Sequence, residues 1–454
     1  MTIEEEYQKT RGNSKSLYGR ALKIMPSGID HDARFIKPFP FYVERAEGAR
    51  KWDIDGNELI DLWSGHGALV LGHNPPSVVS AVAQQMKRGF HYSACNELSL
   101  KLAELIVELL PSAEKVRYMH SGTEANMLAI RLARAYTGKN KVIKFRGHFH
   151  GYWNEGVVGV RPPYEAPMSI GVPEESMSNV LLADHNNSEQ VLRLISENDD
   201  IACVIMDPTG HAFILPFNPE FIKEIRRITE DKGVLLIFDE VLSSFRYGQH
   251  GVQGIVGVTP DLTTIAKVIG GGLPISAVTG KRQIMELIAF TDDKERNRHR
   301  RVISQGTHSG NPVVCAAGLA YLRLLADGEP QTYINRLGTM LRKGMNEVIK
   351  KHDIEGCVYG QFSTARSFLS HDCPYLGKCD GENCRCPDLA KLDAGSPLEV
   401  RHKLHLAMLL NGVDYSGGGI GTMFLNAALT DKDIEKVVYA FDHSLTRLKI
   451  EKVI

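Results

Sequence analysis

Short apolar runs alternate with helical stretches through the middle of this chain. Val142–Phe145, Val180–Leu182, Val204–Met206 and Val234–Phe238 read as strands, and Pro219–Asp231 reads as an amphipathic helix between the last two. Strands separated by helices cannot pair as tight hairpins. They return in the same direction by crossovers, which predicts a largely parallel sheet covered on both faces. With 454 residues, 43% of them apolar, the chain can fill two or three domains of this kind.

Ahead of this region, residues 14–25 read as an amphipathic helix. Phe41–Arg45, Ala49–Asp53 and Leu59–Leu62 read as short strands, with Asp55-Gly56-Asn57 turning between the second and third. Past residue 312 come long helical periods at 312–325 and 331–351, strand-like 367–369, and further helices at 398–411 and 431–448. We therefore expect three parts: an N-terminal segment over 1–75 packing with the small domain, a large domain over 76–311, and a small α+β domain over 312–454. The last carries a cysteine-rich insertion at 371–388.

Composition narrows the functional classes. Fifty-three Lys and Arg against 54 Asp and Glu supply no basic field, so neither nucleic acid nor an anionic membrane is an expected partner. The start, Met-Thr-Ile-Glu-Glu-Glu-Tyr-Gln-Lys, has no apolar core of a secretion signal, and a cytoplasmic protein is expected. Cys373, Cys379, Cys384 and Cys386 crowd into one polar stretch. Four such thiols could ligate zinc or an iron–sulfur cluster, or be a surface insertion with free thiols, since their spacing matches neither the paired CxxC nor a ferredoxin pattern.

Two residues carry the chemistry. The run Val-Leu-Leu-Ile-Phe delivers Asp239 at its end, and Lys267 leads into Val-Ile-Gly-Gly-Gly. Separately, these fit a cap and a solvated loop lysine. Together they suggest a site for pyridoxal 5′-phosphate (PLP), with an amine to hold the aldehyde as a Schiff base and a carboxylate to keep the pyridine nitrogen protonated. Ser121-Gly122-Thr123 follows strand-like Lys115–Met119 and opens a helical run, which makes a seat for phosphate or a plain N-cap.

At this point the chain resembles the class III, fold type I, PLP-dependent aminotransferases, in the branch that includes glutamate-1-semialdehyde aminomutase and D-phenylglycine aminotransferase. The likeness rests on Trp52-Asp53-Ile54-Asp55-Gly56-Asn57, on residues 65–73 (Gly-His-Gly-Ala-Leu-Val-Leu-Gly-His), on residues 121–126 (Ser-Gly-Thr-Glu-Ala-Asn), and on Asp239-Glu240-Val241, Lys267 and residues 306–312 (Gly-Thr-His-Ser-Gly-Asn-Pro). It implies an α/β fold with a large, mixed but mostly parallel sheet domain and a smaller α+β domain. It also implies a homodimer with shared sites, in which Thr307 reaches the phosphate of the neighbouring subunit's cofactor. Gly122 and Thr123, with Ser121, would bind phosphate, Asp239 the ring nitrogen, Val241 one ring face and Lys267 the aldehyde. Phe149, followed by His150, stands where the family usually has Tyr-His-Gly, so the ring stacks without a hydroxyl.

Arg34 matches an arginine that holds the substrate carboxylate, a task suited to a planar bidentate donor. His66 stands where the aminomutases carry a tryptophan, and this favours transamination between an amino donor and a 2-oxo acid over the aminomutase alternative; a non-catalytic PLP-binding protein is the remaining reading. Asp207-Pro208 replaces the usual Glu-Pro and continues into His211, so contacts to cofactor and substrate differ there. Residues 155–175, rich in Gly and Pro, are expected to form a loop able to close over the site.

Overall fold

A computed structural model of the chain describes residues 1–210, 215–369, 392, 394–415 and 421–454. His211 and the four crowded cysteines Cys373, Cys379, Cys384 and Cys386 lie outside the described residues. The described residues form two compact units, one from Met1–Pro75 with Pro330–Ile454 and the other from Pro76–Glu329. No helix among them is long and apolar enough to cross a membrane.

The first unit begins with a helix at Ile3–Thr10, started by a capping box in which Thr2 and Glu5 satisfy each other's backbone N–H. The helix expected over 14–25 runs from Gly12 to Ala21, and the chain then leaves it for a tight turn at Pro26–Gly28, where Ser27 has a positive φ of 54°. Strands β1 (Val43–Glu47), β2 (Arg50–Asp53) and β3 (Glu58–Asp61) form an antiparallel meander. Asp53 makes the turn between β2 and β3 by accepting hydrogen bonds from the backbone of Asp55 and Asn57.

The second unit is built on a seven-stranded sheet of order β4-β10-β9-β8-β7-β5-β6. Its strands are β4 (Lys115–Met119), β5 (Lys141–Phe145), β6 (Val180–Ala183), β7 (Ile201–Met206), β8 (Leu235–Glu240), β9 (Leu262–Ile265) and β10 (Ser276–Gly280). β10 alone runs against its neighbours β4 and β9, and the pairs from β9 through β6 are parallel, so the sheet is mixed and mostly parallel as expected. Every residue of β7, β8 and β9 is buried, which is the mark of central strands covered on both faces. On one face Ala125, Leu128, Ala129, Leu132 and Ala133 of the helix Gly122–Thr137 pack against Cys203, Ile205, Ile237 and Val278.

The chain returns to the first unit with the helix Glu329–Lys351 and a three-stranded antiparallel sheet. That sheet joins β11 (Gly356–Tyr359), β12 (Thr364–Leu369) and β14 (Thr422–Phe424), while β13 (Val413–Asp414) adds in parallel to β3. This addition buries a charge cluster. Lys51 of β2 reaches both Asp61 and Asp414, and His73 Nε2 donates to Asp61 Oδ2 at 2.7 Å. Burial disfavours the Asp61 carboxylate, but Lys51 and His73 outweigh it and hold its pKa far below the usual carboxylate range.

Candidate active site

Asp239 lies near the carboxyl end of β8, and Lys267 follows the carboxyl end of the adjacent parallel strand β9, in which Ile265 pairs with Glu240. Both functional groups therefore come to the edge where ligands of open α/β sheets collect. Asp239 is 2% exposed and fully engaged: Oδ2 accepts from His150 Nδ1 at 2.7 Å and from Asn126 Nδ2 at 2.8 Å, and Oδ1 accepts from the Val241 N–H at 3.0 Å. Asn126 is itself fixed by Thr264 Oγ1, which donates to its Oδ1 at 2.6 Å. Because a carboxylate only accepts, His150 must carry its proton on Nδ1; its Nε2 is buried with no hydrogen-bond partner among the described residues. Burial lowers the His150 pKa against the pull of Asp239 and so favours the neutral ring.

Lys267 is partly buried and adopts a positive φ of 48°, a conformation that costs a non-glycine residue about 1 kcal/mol or more and marks a position held by its surroundings. Burial lowers its pKa, opposed by Asp239 and Asp207. The result is an amine more readily deprotonated than a surface lysine, as a nucleophile toward an aldehyde requires. Asp207 directly follows β7, whose Met206 pairs with Phe238 of β8, so the two aspartates stand at matching points of neighbouring strands. It is buried and accepts from the Thr209 N–H and Oγ1, both at 2.9 Å.

A hydroxyl at Ser121 N-caps the helix Gly122–Thr137, accepting from the Glu124 N–H at 3.2 Å, while Glu124 Oε2 accepts from the N–H of Ser121 and His120. That capping leaves the first-turn N–H groups of Gly122 and Thr123 without intrahelical acceptors, at the positive end of the helix dipole. Contact is tight here. A Cβ at Gly122 would meet Val241 Cγ1 at 2.7 Å, and one at Gly151 would meet Thr123 Oγ1 at 2.6 Å, so the helix start, Val241 and the loop carrying Phe149 and His150 close on one another. Phe149 is half-buried between the buried His148 and His150. These residues suit a flat, phosphorylated pyridine ring: a carboxylate for its nitrogen, an amine for its aldehyde, and free N–H groups for its phosphate.

Comparison with known proteins decides the family, because the class-III aminotransferase model matches residues 32–361. This chain belongs to the class-III aminotransferases. It is a PLP-dependent enzyme. It is 38% identical over 455 residues to glutamate-1-semialdehyde 2,1-aminomutase 2 of Halalkalibacterium halodurans, covering 97% of this chain and all of that one. Among solved structures it is similar to an omega-transaminase from Sphaerobacter thermophilus (TM-score 0.86, 32% identity, 96% of this chain and 98% of that one). It is also similar to a transaminase with PLP bound (TM-score 0.85, 29% identity, 98% and 99%).

The remaining expected residues lie elsewhere in the chain. Thr307 is exposed, in a loop that turns at Gly306, where a Cβ would meet His120 Cε1 at 2.4 Å. Arg34 and His66 belong to the first unit. Arg34 Nη1 is 2.5 Å from Asp30 Oδ2, with both side chains more than half exposed, and His66, with a positive φ of 58°, packs its ring against Trp63 and His31. Among the described residues no group of His, Cys, Asp and Glu is arranged to hold a metal. Asn126 and Thr264 were not legible as site-supporting residues: Asn126 stands within the quoted Ser-Gly-Thr-Glu-Ala-Asn, but its partners lie 113 and 138 positions away.

Proposed function

We propose that the chain moves an amino group within one small amino acid, as a 2,1-aminomutase does, using PLP. Full-length similarity carries this reading: besides the Halalkalibacterium relative, seven others at 35–37% identity bear the aminomutase name. PLP supplies an electron sink when bound. Lys267 would hold the aldehyde, and its amine, freed when the substrate's amine takes over the aldehyde, would carry protons to and from the reacting carbon. Asp239, oriented by His150 and Asn126, would keep the ring nitrogen protonated; Val241 and Phe149 would offer the ring its faces, Ser121, Gly122 and Thr123 would bind its phosphate, and Asp207 stands at the neighbouring strand end. By the family resemblance, Arg34 would take the substrate carboxylate, His66 and His211 would contribute to substrate recognition, and Thr307 would reach the partner's phosphate in a homodimer.

Transamination between a donor and a separate oxo acid is the second reading. His66 in place of the aminomutases' tryptophan favours it, as does the 32% identity to an omega-transaminase. Cosubstrate need separates the two. Holoenzyme incubated with one candidate amino acid and no oxo acid should isomerise it catalytically; turnover that begins only when a 2-oxo acid is added transfers the assignment to transamination.

A further inference from the structure

Two histidines that the proposed chemistry does not use form a chain beside Asp207. The Asp207 N–H donates to His148 Nδ1 at 3.1 Å, His148 Nε2 is 3.1 Å from His185 Nδ1, and His185 Nε2 is 3.0 Å from the Pro216 carbonyl oxygen. The ends fix every proton. A carbonyl only accepts, so His185 carries its proton on Nε2; a backbone N–H only donates, so His148 Nδ1 is a bare lone pair. Between them His148 Nε2–H donates to His185 Nδ1. Both rings are neutral in this arrangement. A second proton on His148 would set a donor against the Asp207 N–H, and one on His185 would set a donor against His148.

We propose that His148 and His185 form an uncharged bracket that positions Asp207 at the PLP seat, and that acidification opens the bracket and weakens PLP retention. The bracket spans three strand ends, since His148 lies just beyond β5, His185 just beyond β6 and Asp207 just beyond β7. The titratable groups against the two rings among the described residues include Asp207, His150 across a 5.9 Å ring contact, and each other. Asp184, next to His185, is engaged with Arg146, and Phe145 and Phe221 fill the apolar sides. Burial lowers the His185 pKa, outweighing the Pro216 carbonyl and Asp207. Opened rings meet water, where an imidazole takes up a proton below ~6.5, so acid favours the open form.

The test measures PLP dissociation from the full-length protein between pH 7.5 and 5.5. A His148→Gln/His185→Gln double variant keeps the donor and acceptor order without a titratable ring, whereas His148→Leu removes the acceptor for Asp207. Wild type should lose PLP affinity at least ~tenfold more steeply toward pH 5.5 than the Gln pair, and His148→Leu should bind weakly at both pH values. Lys267, His150 and the cofactor's own phosphate titrate in all three proteins and cancel in the comparison. Parallel pH dependence in wild type and the Gln pair, or wild-type affinity in His148→Leu at pH 7.5, overturns the proposal. Hydrogen exchange over residues 204–209 of wild-type holoenzyme gives an independent reading. Corrected for intrinsic rates, protection of the Asp207 amide should fall by pH 5.5, and unchanged protection overturns the bracket.

Discussion

Glu240 and Asp239 are consecutive residues of a buried strand and therefore face opposite ways. Asp239 meets His150 and Asn126, while Glu240 accepts from the N–H groups of Val252 at 2.7 Å and Gln253 at 3.3 Å. Burial is the largest influence on Glu240 and raises its pKa to about 7, with Asp207 adding to the rise. A carboxyl whose folded pKa exceeds its unfolded one stabilises the fold below the unfolded value near 4.5, and loses that contribution as pH rises toward 7. Glu240→Gln removes this titration, so the urea midpoint of the variant relative to wild type should rise between pH 4.5 and 8, by an equivalent of roughly 2–3 kcal/mol. A flat difference across that window would show that burial does not raise the Glu240 pKa above its unfolded value. Lys267→Ala should leave a protein without the yellow absorbance of bound PLP, from which dialysis strips the cofactor; retention of the chromophore would remove Lys267 from its role. Asp239, Lys267 and Gly122 were legible because each sits in a short motif whose chemistry is local. His148, His185 and Lys144 were not, because their partners come from distant segments.

At the scale of elements, β4 and the helix Pro219–Asp231 keep the bounds expected from the sequence, since each presents a clear pattern between turn or capping signals. β9 and β10 gave no such pattern. Leu-Thr-Thr-Ile and Ser-Ala-Val-Thr-Gly are buried on both faces, so neither alternates and neither reads as an apolar run. The start of the helix Gly122–Thr137 can be tested through its contact with Val241. Gly122→Ala should weaken PLP binding by roughly tenfold or more, and adding Val241→Ala should recover part of it, as a dissociation constant for PLP would show. A second test concerns β5. Lys144 Nζ donates to the carbonyls of Glu155, Gly156 and Val158 at 2.7–3.1 Å, tying down the start of the Gly- and Pro-rich loop. Burial brings its pKa down to about 7, against Glu155 and Asp239. Lys144→Met would leave three carbonyls without this donor, and cleavage within 153–160 by a limiting protease should quicken several-fold; an unchanged rate would mean the loop is held by other bonds.

Over the whole molecule, the mostly parallel sheet followed from the strand and helix alternation, because crossovers of that length leave few other arrangements. The pairing of β3 with β13 did not, since nothing in a two-residue strand announces a partner some 350 positions earlier. The first unit depends on that distant pairing: the Ile60 N–H donates to the Gly412 carbonyl and the Leu62 N–H to Asp414, the Ile3 N–H donates to Glu451, and Arg447 pairs with Glu6. Deleting residues 1–75 should therefore leave 330–454 loosely folded, with its backbone amides exchanging rapidly, while 76–329 keeps its protected sheet; equal protection in both would show that the C-terminal segment folds without β3.

A ribosome adds roughly 5–20 residues each second. The β-meander and its buried aspartate thus leave the exit tunnel tens of seconds before Lys51 and Asp61 receive Asp414, and through that interval an edge strand stands open to any passing chain. Nascent polypeptides of this enzyme have reason to need a holding chaperone near the amino terminus, and synonymous changes that slow translation of the final third would lengthen the exposure.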